Sequence, residues 1–180
     1  MKKMFEPFIN MLSDEKLKEF TYSALEKIPS YFWEIPASSS GKYHPYHDLG
    51  IGGTVRHTVM VMQCALDLLR MENENPDPSY IDAVIISCMF HDSFKNGLED
   101  TGHTVQEHPA LASDFVINHF CHYDTSFTME VGGAILSHMG RWNTDKEGKK
   151  ILPTPSTKLA ELVHMADYIA SRKYILYMPI

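Results

Sequence analysis

The spacing of apolar residues constrains the fold of this chain more than any other feature of its sequence. Leu17, Phe20, Ala24, Leu25 and Ile28 recur at intervals of three and four residues, the period of one face of an α-helix. The same spacing returns in later segments, and the two-residue alternation of a β-strand persists nowhere. The sequence therefore predicts an all-α protein.

Capping residues predict where the helices begin. Ser13 is the expected N-cap of a first amphipathic helix that Pro29 ends, and Thr54 is the expected N-cap of a long second helix. Asp77 and Pro78 have the order of a cap followed by proline at the first helical position, so they are expected to open a third helix. Three further helices are expected to begin near His108, Phe127 and Thr154.

The length and the hydrophobic content predict a single folded unit. The chain has 180 residues, of which 44% are hydrophobic, and both values fit one domain with an ordinary core. We expect residues 1–180 to form one helical bundle in which residues 1–35 are an N-terminal helical extension. Gly132 and Gly133 are expected to allow close helix packing, because they lack side chains.

Charge and cysteine usage exclude several classes of function. The net charge of −7 disfavours a broad basic surface, and with it tight binding of extended nucleic acid through phosphate contacts. Cys64, Cys88 and Cys121 lie far apart in apolar surroundings, so we expect buried thiols in a reducing, cytoplasmic environment. No segment has the pattern of a signal peptide, and no apolar run approaches the ~18 residues that span a bilayer, so no membrane insertion is expected.

An adjacent His91-Asp92 pair closes the apolar run of the third predicted helix. Imidazole nitrogen and carboxylate oxygen are ligands of divalent ions, and a shared carboxylate can bridge two ions. The other candidate ligands along the chain are His57, His108, His138 and Asp167. Together these residues could supply two adjacent metal sites. The alternative interpretation is a pair that caps a helix, accompanied by hydrogen-bonded core histidines.

This ordered set resembles the ligands of the HD-domain metal-dependent phosphohydrolases, in which a His, a His-Asp pair and a distal Asp bind one metal. Residues 52–58 are similar to the Gly-Gly-x-x-x-His-Thr string of the exoribonuclease-like HD domains, and residues 135–140 to their Leu-Ser-His-His-Gly. The family string His-Asp-Ile-Gly-Lys is His-Asp-Ser-Phe-Lys at residues 91–95, and the double histidine is His138-Met139. The resemblance covers residues 36–172 and implies a bundle of the HD-domain type.

The resemblance also implies a binuclear site containing Mn, Fe, Zn or Mg. One ion would have four ligands, namely His57, His91, Asp92 and Asp167. Asp92 would bridge to a second ion held by His108 and His138. Two such ions could polarise a phosphate and lower the pKa of a bridging water, so Asp92 is an expected catalytic residue. Lys95 is the other, as the expected counter-charge for phosphoryl oxygens, with a solvated loop lysine as the alternative.

Two segments are expected to border the metals and to contact the substrate. One is the loop 36–45, in which Lys42 and His44 are the candidate contacts. The other is Arg141-Trp142, directly after the last histidine ligand, with the tryptophan as a stacking surface. A small nucleotide needs only a few nearby cations and one apolar or aromatic wall. The alternative interpretation of the loop is a solvated connector.

The resulting hypothesis is a metal-dependent phosphohydrolase that cleaves a phosphoester of a small nucleotide or nucleotide-like substrate. One alternative is a 3'-5' nucleic-acid exonuclease, but only about 50 residues precede His57, too few for the separate nucleic-acid-binding domain of the related exoribonucleases. Another alternative is a non-catalytic, metal-dependent nucleotide-binding module. Paired helical faces suggest a homodimer. Three histidines without a matching context are expected to be surface or structural residues: His103, His119 and His122.

Overall fold

The computed structural model describes residues 2–145 and 147–174, and within them it is an all-α, single-domain bundle. The seven α-helices of this part of the chain are α1 (Glu6–Ile9), α2 (Glu15–Lys27), α3 (Gly53–Glu72), α4 (Pro78–Phe90), α5 (His108–Phe120), α6 (Thr125–Ser137) and α7 (Lys158–Ala170). The described residues contain no β-strand, only an isolated bridge between Thr144 and Lys150. The all-α prediction is confirmed.

Helix α4 lies at the centre of the bundle, in contact with α3, α6 and α7. Every residue from 82 to 90 is buried, because this segment is apolar on nearly all its faces and has no side that favours water. The helix begins as predicted, with the Asp77 carboxylate accepting a hydrogen bond from the Ser79 amide at 2.8 Å and Pro78 at the first helical position. Its C-terminal end therefore delivers the next residues, His91 and Asp92, to the interior.

The N-caps predicted for the first two helices are wrong. Asp14, not Ser13, caps α2 by accepting from the Lys16 amide at 2.8 Å. Ser13 instead donates through its amide and its hydroxyl to the buried Asp82 carboxylate on α4, at 2.9 and 2.5 Å. Long-range hydrogen bonding to a buried carboxylate outweighs the local capping bond.

Helix α3 begins at Gly53, so Thr54 is already inside its first turn. The Thr54 hydroxyl donates to the carbonyl oxygens of Ile35 and Pro36, at 3.3 and 3.0 Å. Thr54 therefore fixes the preceding segment against the helix and does not cap it. The cap position belongs to Gly52, whose positive φ of 70° favours glycine.

Helices α6 and α7 also begin away from the predicted residues. Asp124 caps α6 by accepting from the Phe127 amide at 2.7 Å, which moves its start to Thr125. Thr157 caps α7 by accepting from the Ala160 amide at 3.1 Å, so this helix starts at Lys158 and not near Thr154. In both cases the residue whose side chain accepts the capping hydrogen bond directly precedes the first helical residue.

The two adjacent glycines of α6 have different roles. A Cβ atom on Gly132 would lie 2.6 Å from Ile117 Cγ1 on α5, and the Ser113 hydroxyl donates to the Gly132 carbonyl at 2.8 Å. A Cβ atom on Gly133 would meet nothing within 4 Å. The predicted close packing of helices therefore holds for Gly132 and is wrong for Gly133.

The N-terminal segment is packed into the same hydrophobic core as α3 and α4. Phe5, Leu17 and Phe32 are fully buried in that core. The cysteine prediction is only partly right, because Cys88 is buried and Cys64 half-buried, whereas Cys121 follows the end of α5 and is exposed. None of the helices in the described ranges is both long enough and apolar enough to cross a membrane.

Candidate metal centre

Five segments bring the six predicted metal ligands to one place in the interior. His57 lies in the second turn of α3, His91 and Asp92 follow the end of α4, His108 begins α5, His138 follows the end of α6, and Asp167 lies in the last turn of α7. The first five side chains are at most 3% exposed, and that of Asp167 is 21% exposed. The helix packing therefore assembles residues that are up to 110 positions apart in the sequence.

The Asp92 carboxylate lies between two sets of histidines. Its Oδ2 atom is 3.9 Å from His57 Nε2 and 3.6 Å from His91 Nε2. Its Oδ1 atom is 3.2 Å from His108 Nε2 and 3.9 Å from His138 Nε2. One carboxylate thus presents a separate oxygen to each set.

Asp167 completes the first set. Its Oδ1 atom accepts a hydrogen bond from His57 Nε2 at 3.0 Å and lies 3.8 Å from His91 Nε2. The ligand atoms of His57, His91 and Asp167 all lie within 4.8 Å of one another, as do those of His91, Asp92 and His138. These buried groups could hold metal ions.

Three of the imidazoles are held by the backbone in the orientation that a metal ligand requires. Each donates a hydrogen bond from Nδ1 to the carbonyl oxygen three residues earlier, with distances of 2.7 Å for His91, 2.6 Å for His108 and 2.8 Å for His138. A carbonyl only accepts, so the proton is on Nδ1 and the lone pair of Nε2 faces the cluster. Such a second hydrogen bond fixes the tautomer and the ring plane of a metal-binding histidine.

The pKa values of four of these groups, His91, His138, Asp92 and Asp167, favour the protonation states in which they bind metals. Burial lowers the pKa of His91, and burial together with the charges of His91 and His108 lowers that of His138 to about 3. Burial opposes ionisation of Asp92, but Lys95 and His91 hold its pKa well below the usual range. Burial also opposes ionisation of Asp167, but the hydrogen bond from His57 and the charge interactions with its imidazole neighbours together lower its pKa. Neutral imidazoles and ionised carboxylates are the ligand forms.

The donor set fits a cation. The Nε2 atoms of His108 and His138 are 3.3 Å apart, and with both protons on Nδ1 neither nitrogen can donate to the other. His91 Nε2 is buried and has no hydrogen-bond partner among the described residues. Buried polar atoms without a partner are rare, and a missing ion is one accepted reason for them.

A cavity of about 290 Å³ opens onto this cluster and is lined by four of the six candidate ligands: Asp92, His108, His138 and Asp167. Three of the other predicted site residues, Lys95, His44 and Trp142, line it as well. Lys42 and Arg141 do not line it: Lys42 is exposed with its ammonium 5.0 Å from the centre of the Tyr43 ring, and Arg141 lines a neighbouring depression with Trp142.

Lys95 is buried, with 8% of its surface exposed, and donates a hydrogen bond to the Asp92 carboxylate. The alternative of a solvated loop lysine is therefore wrong. His44 lies edge-on to His57, with 4.9 Å between the ring centres, and burial lowers its pKa to about 2. Neither ring nitrogen of His44 has a hydrogen-bond partner in the part of the chain that the structure describes.

Several residues of the cavity were not predicted from the sequence. Tyr43, Tyr168 and Arg172 form part of its wall, and His164 donates from Nδ1 to the His138 carbonyl at 2.7 Å. Tyr168 directly follows Asp167, so the position of that ligand was a usable signal. The contact of Arg172 with Tyr43 was not predictable from spacing, because it joins residues on distant segments.

Of the three histidines predicted to be surface or structural, His103 and His122 are exposed. His119 is half-buried and donates from Nε2 to the Phe20 carbonyl at 3.1 Å, so its role is structural.

Searches with this chain matched no protein-family model, no curated protein and no solved structure.

Proposed function

We propose that this protein is a metal-dependent phosphohydrolase of the HD-domain type that acts on a small nucleotide or a nucleotide-like phosphoester. One observation carries the proposal: Asp92 presents Oδ2 to His57 and His91, and Oδ1 to His108 and His138, on the wall of a cavity. A carboxylate in that position is suited to bridge two cations.

Two divalent ions would share the six ligands. His57, His91, Asp92 and Asp167 would hold the first ion, and Asp92, His108 and His138 the second. Bound there, the ions would supply Lewis-acid polarisation of a phosphate and activation of water near neutral pH. Mn, Fe, Zn and Mg are the candidate metals, because imidazole ligands suit Fe and Zn and carboxylate ligands suit Mn and Mg.

The chain's own residues would bind and orient the phosphoester. Lys95 lies on the cavity wall beside Asp92, where its ammonium can donate hydrogen bonds to phosphoryl oxygens. Trp142 lies on the same wall, with its ring stacked on Tyr168 at 5.7 Å and an interplanar angle of 17°. An aromatic surface of this kind can stack on a nucleobase.

The size of the cavity and the charge of the chain support a small substrate. The volume of about 290 Å³ lies just below the lower limit of the range for small-molecule sites, roughly 300–1,000 Å³. The net charge of −7 gives a long polynucleotide little to bind outside the cavity. A mononucleotide or a dinucleotide is the substrate class that we propose.

A hydrolysis screen tests this function. Purified protein would be supplied in turn with Mn, Fe, Zn and Mg and tested on nucleoside monophosphates, cyclic dinucleotides and short oligonucleotides, with Asp92→Ala as the inactive control. We expect at least one small nucleotide to be hydrolysed with a higher kcat/KM than any oligonucleotide.

Two other results would replace the proposal. Processive degradation of single-stranded oligonucleotides with a far higher kcat/KM would identify an exonuclease. Binding of a nucleotide without hydrolysis under any metal would identify a binding module.

A further inference from the structure

Arg172 places a guanidinium group on the cavity wall, and no acidic side chain in the described part of the chain pairs with it. It lines the same cavity as Asp92, Lys95 and Asp167 and is half-buried. Its Nε donates to the Tyr168 carbonyl at 3.1 Å, and its Nη2 to the Ser171 hydroxyl at 2.8 Å. Within residues 2–145 and 147–174, no carboxylate forms a salt bridge with Arg172 and its Nη1 donates no hydrogen bond. The cavity therefore contains a cation to which the described residues supply no counter-charge.

Two tyrosines hold this guanidinium in place. Its Cζ atom is 4.2 Å from the centre of the Tyr168 ring on α7 and 5.5 Å from that of Tyr43 in the loop before α3. Stacking on aromatic rings fixes the plane of a guanidinium while its N–H edge stays free for an acceptor.

Arg172 makes no hydrogen bond or salt bridge with a candidate metal ligand in the described part of the chain. It lies beyond the C-terminal end of α7, five positions after Asp167. Lys95, in contrast, donates directly to Asp92. The cavity thus has one cation bonded to a candidate metal ligand and a second whose contacts are with two tyrosines. Hydrolysis of a single phosphate accounts only for the first.

We propose that Arg172 binds a second phosphate group of the substrate, one that is not hydrolysed, and so selects nucleotides that carry two separate phosphates. This inference rests on the proposed function for the position of the hydrolysed phosphate. A planar guanidinium offers paired N–H donors to phosphate oxygens, which a lysine at the same place does not. The contacts with Tyr43 and Tyr168 and the two hydrogen bonds restrict the position of the guanidinium, which favours an anion at that point of the cavity.

Calorimetric titration of the metal-free protein tests the role of Arg172 without using catalysis. The probes are adenosine 3',5'-bisphosphate, adenosine 5'-monophosphate and adenosine. We expect the wild type to bind the bisphosphate about 10-fold or more tightly than the monophosphate, the usual effect of one charge-assisted hydrogen bond. Arg172→Met should remove this preference, and Arg172→Lys should retain only part of it.

Lys173→Met is the matched control, because it removes the same charge from the adjacent, exposed residue, which does not line the cavity. This variant should keep the wild-type preference. Thermal unfolding of each variant establishes that it is folded, and Arg172→Lys serves as the test if Arg172→Met is not.

Three results would overturn the proposal. The wild type could bind both nucleotides equally well, or it could bind neither. In the third result, Arg172→Met would weaken the binding of both nucleotides by the same factor. The last result would mean that Arg172 binds the hydrolysed phosphate. A failure of the proposed function would give a different result. In that case no metal would support hydrolysis, but the wild type would still bind the bisphosphate more tightly than the monophosphate, and this preference would still depend on Arg172.

Discussion

The Nε2 atoms of His108 and His138 lie 3.3 Å apart, and each ring donates its Nδ1 proton to a backbone carbonyl. The two lone pairs therefore face each other and Asp92 Oδ1 in the buried interior, an arrangement that a cation would stabilise. This pair is the reason to expect a second ion beside the one that His57, His91 and Asp167 would hold.

The first prediction is two metal ions per chain. Anomalous scattering from protein supplied with excess Mn or Zn should show one ion on each side of Asp92. His138→Ala should weaken mainly the second site, while Asp92→Ala should abolish both, because its two oxygens face both histidine sets. His122→Ala, at an exposed position, is the control and should keep both ions. A single ion with His108 and His138 turned away from it would exclude the binuclear site.

The second prediction concerns the stability of the metal-free protein in acid. The pKa of His138 is lowered from 6.5 to about 3 in the folded state, whereas the unfolded chain retains about 6.5. Between these two values the unfolded state binds a proton that the folded state does not, so the free energy of unfolding falls as the pH is lowered below 6.5. The pKa values of Asp92 and Asp167 are lowered from 3.8, so their contributions persist throughout this range.

Urea unfolding in the presence of a chelator measures this effect. At about 1.36 kcal/mol per pH unit, the His138 contribution between pH 6.5 and about pH 5 is of the order of 2 kcal/mol. His138→Gln removes the titrating group and should lose less stability over the same interval. An unchanged pH dependence in this variant would show that His138 does not titrate as expected.

The third prediction separates two glycines that look alike in the sequence. A Cβ atom on Gly53 would lie 1.8 Å from the Asp48 carbonyl oxygen and 2.8 Å from the Ala37 nitrogen, and both are backbone atoms that cannot move aside cheaply. Gly53→Ala should therefore destabilise the fold by about 3 kcal/mol. Gly133→Ala, with open space around the new Cβ inside α6, should stabilise it by about 0.5–1 kcal/mol. Chemical denaturation of both variants measures the difference, and equal effects would contradict the close approach at Gly53.

The fourth prediction tests Lys95 within the proposed function. Lys95→Met removes the ammonium that donates to Asp92 on the cavity wall, without removing any candidate metal ligand. We expect kcat for the best substrate to fall by about 100-fold or more, as for loss of one transition-state donor. Metal analysis of the same sample should show unchanged content. Full activity of Lys95→Met would show that Lys95 does not take part in catalysis.

The sequence by itself determined the helical class and the set of candidate ligands. Helical periodicity can be recognised from the spacing of nearby residues, and the cap at Asp77 from its immediate neighbours. Helix α4 and its position before His91 and Asp92 could therefore be predicted. The histidine and aspartate positions stood in an order that resembles a known ligand set, and the bundle brings all six into one cluster.

Only the tertiary structure decided which atoms face one another. Ser13 leaves its predicted capping role because Asp82, 69 positions later, offers a buried carboxylate. Arg172 contacts the Tyr43 ring because the loop before α3 packs beside the end of α7. Lys95 donates a hydrogen bond to Asp92 in a turn that is buried. Such contacts depend on long-range packing energies that local propensity does not contain, and so the shape and charge of the cavity became evident only in the folded chain.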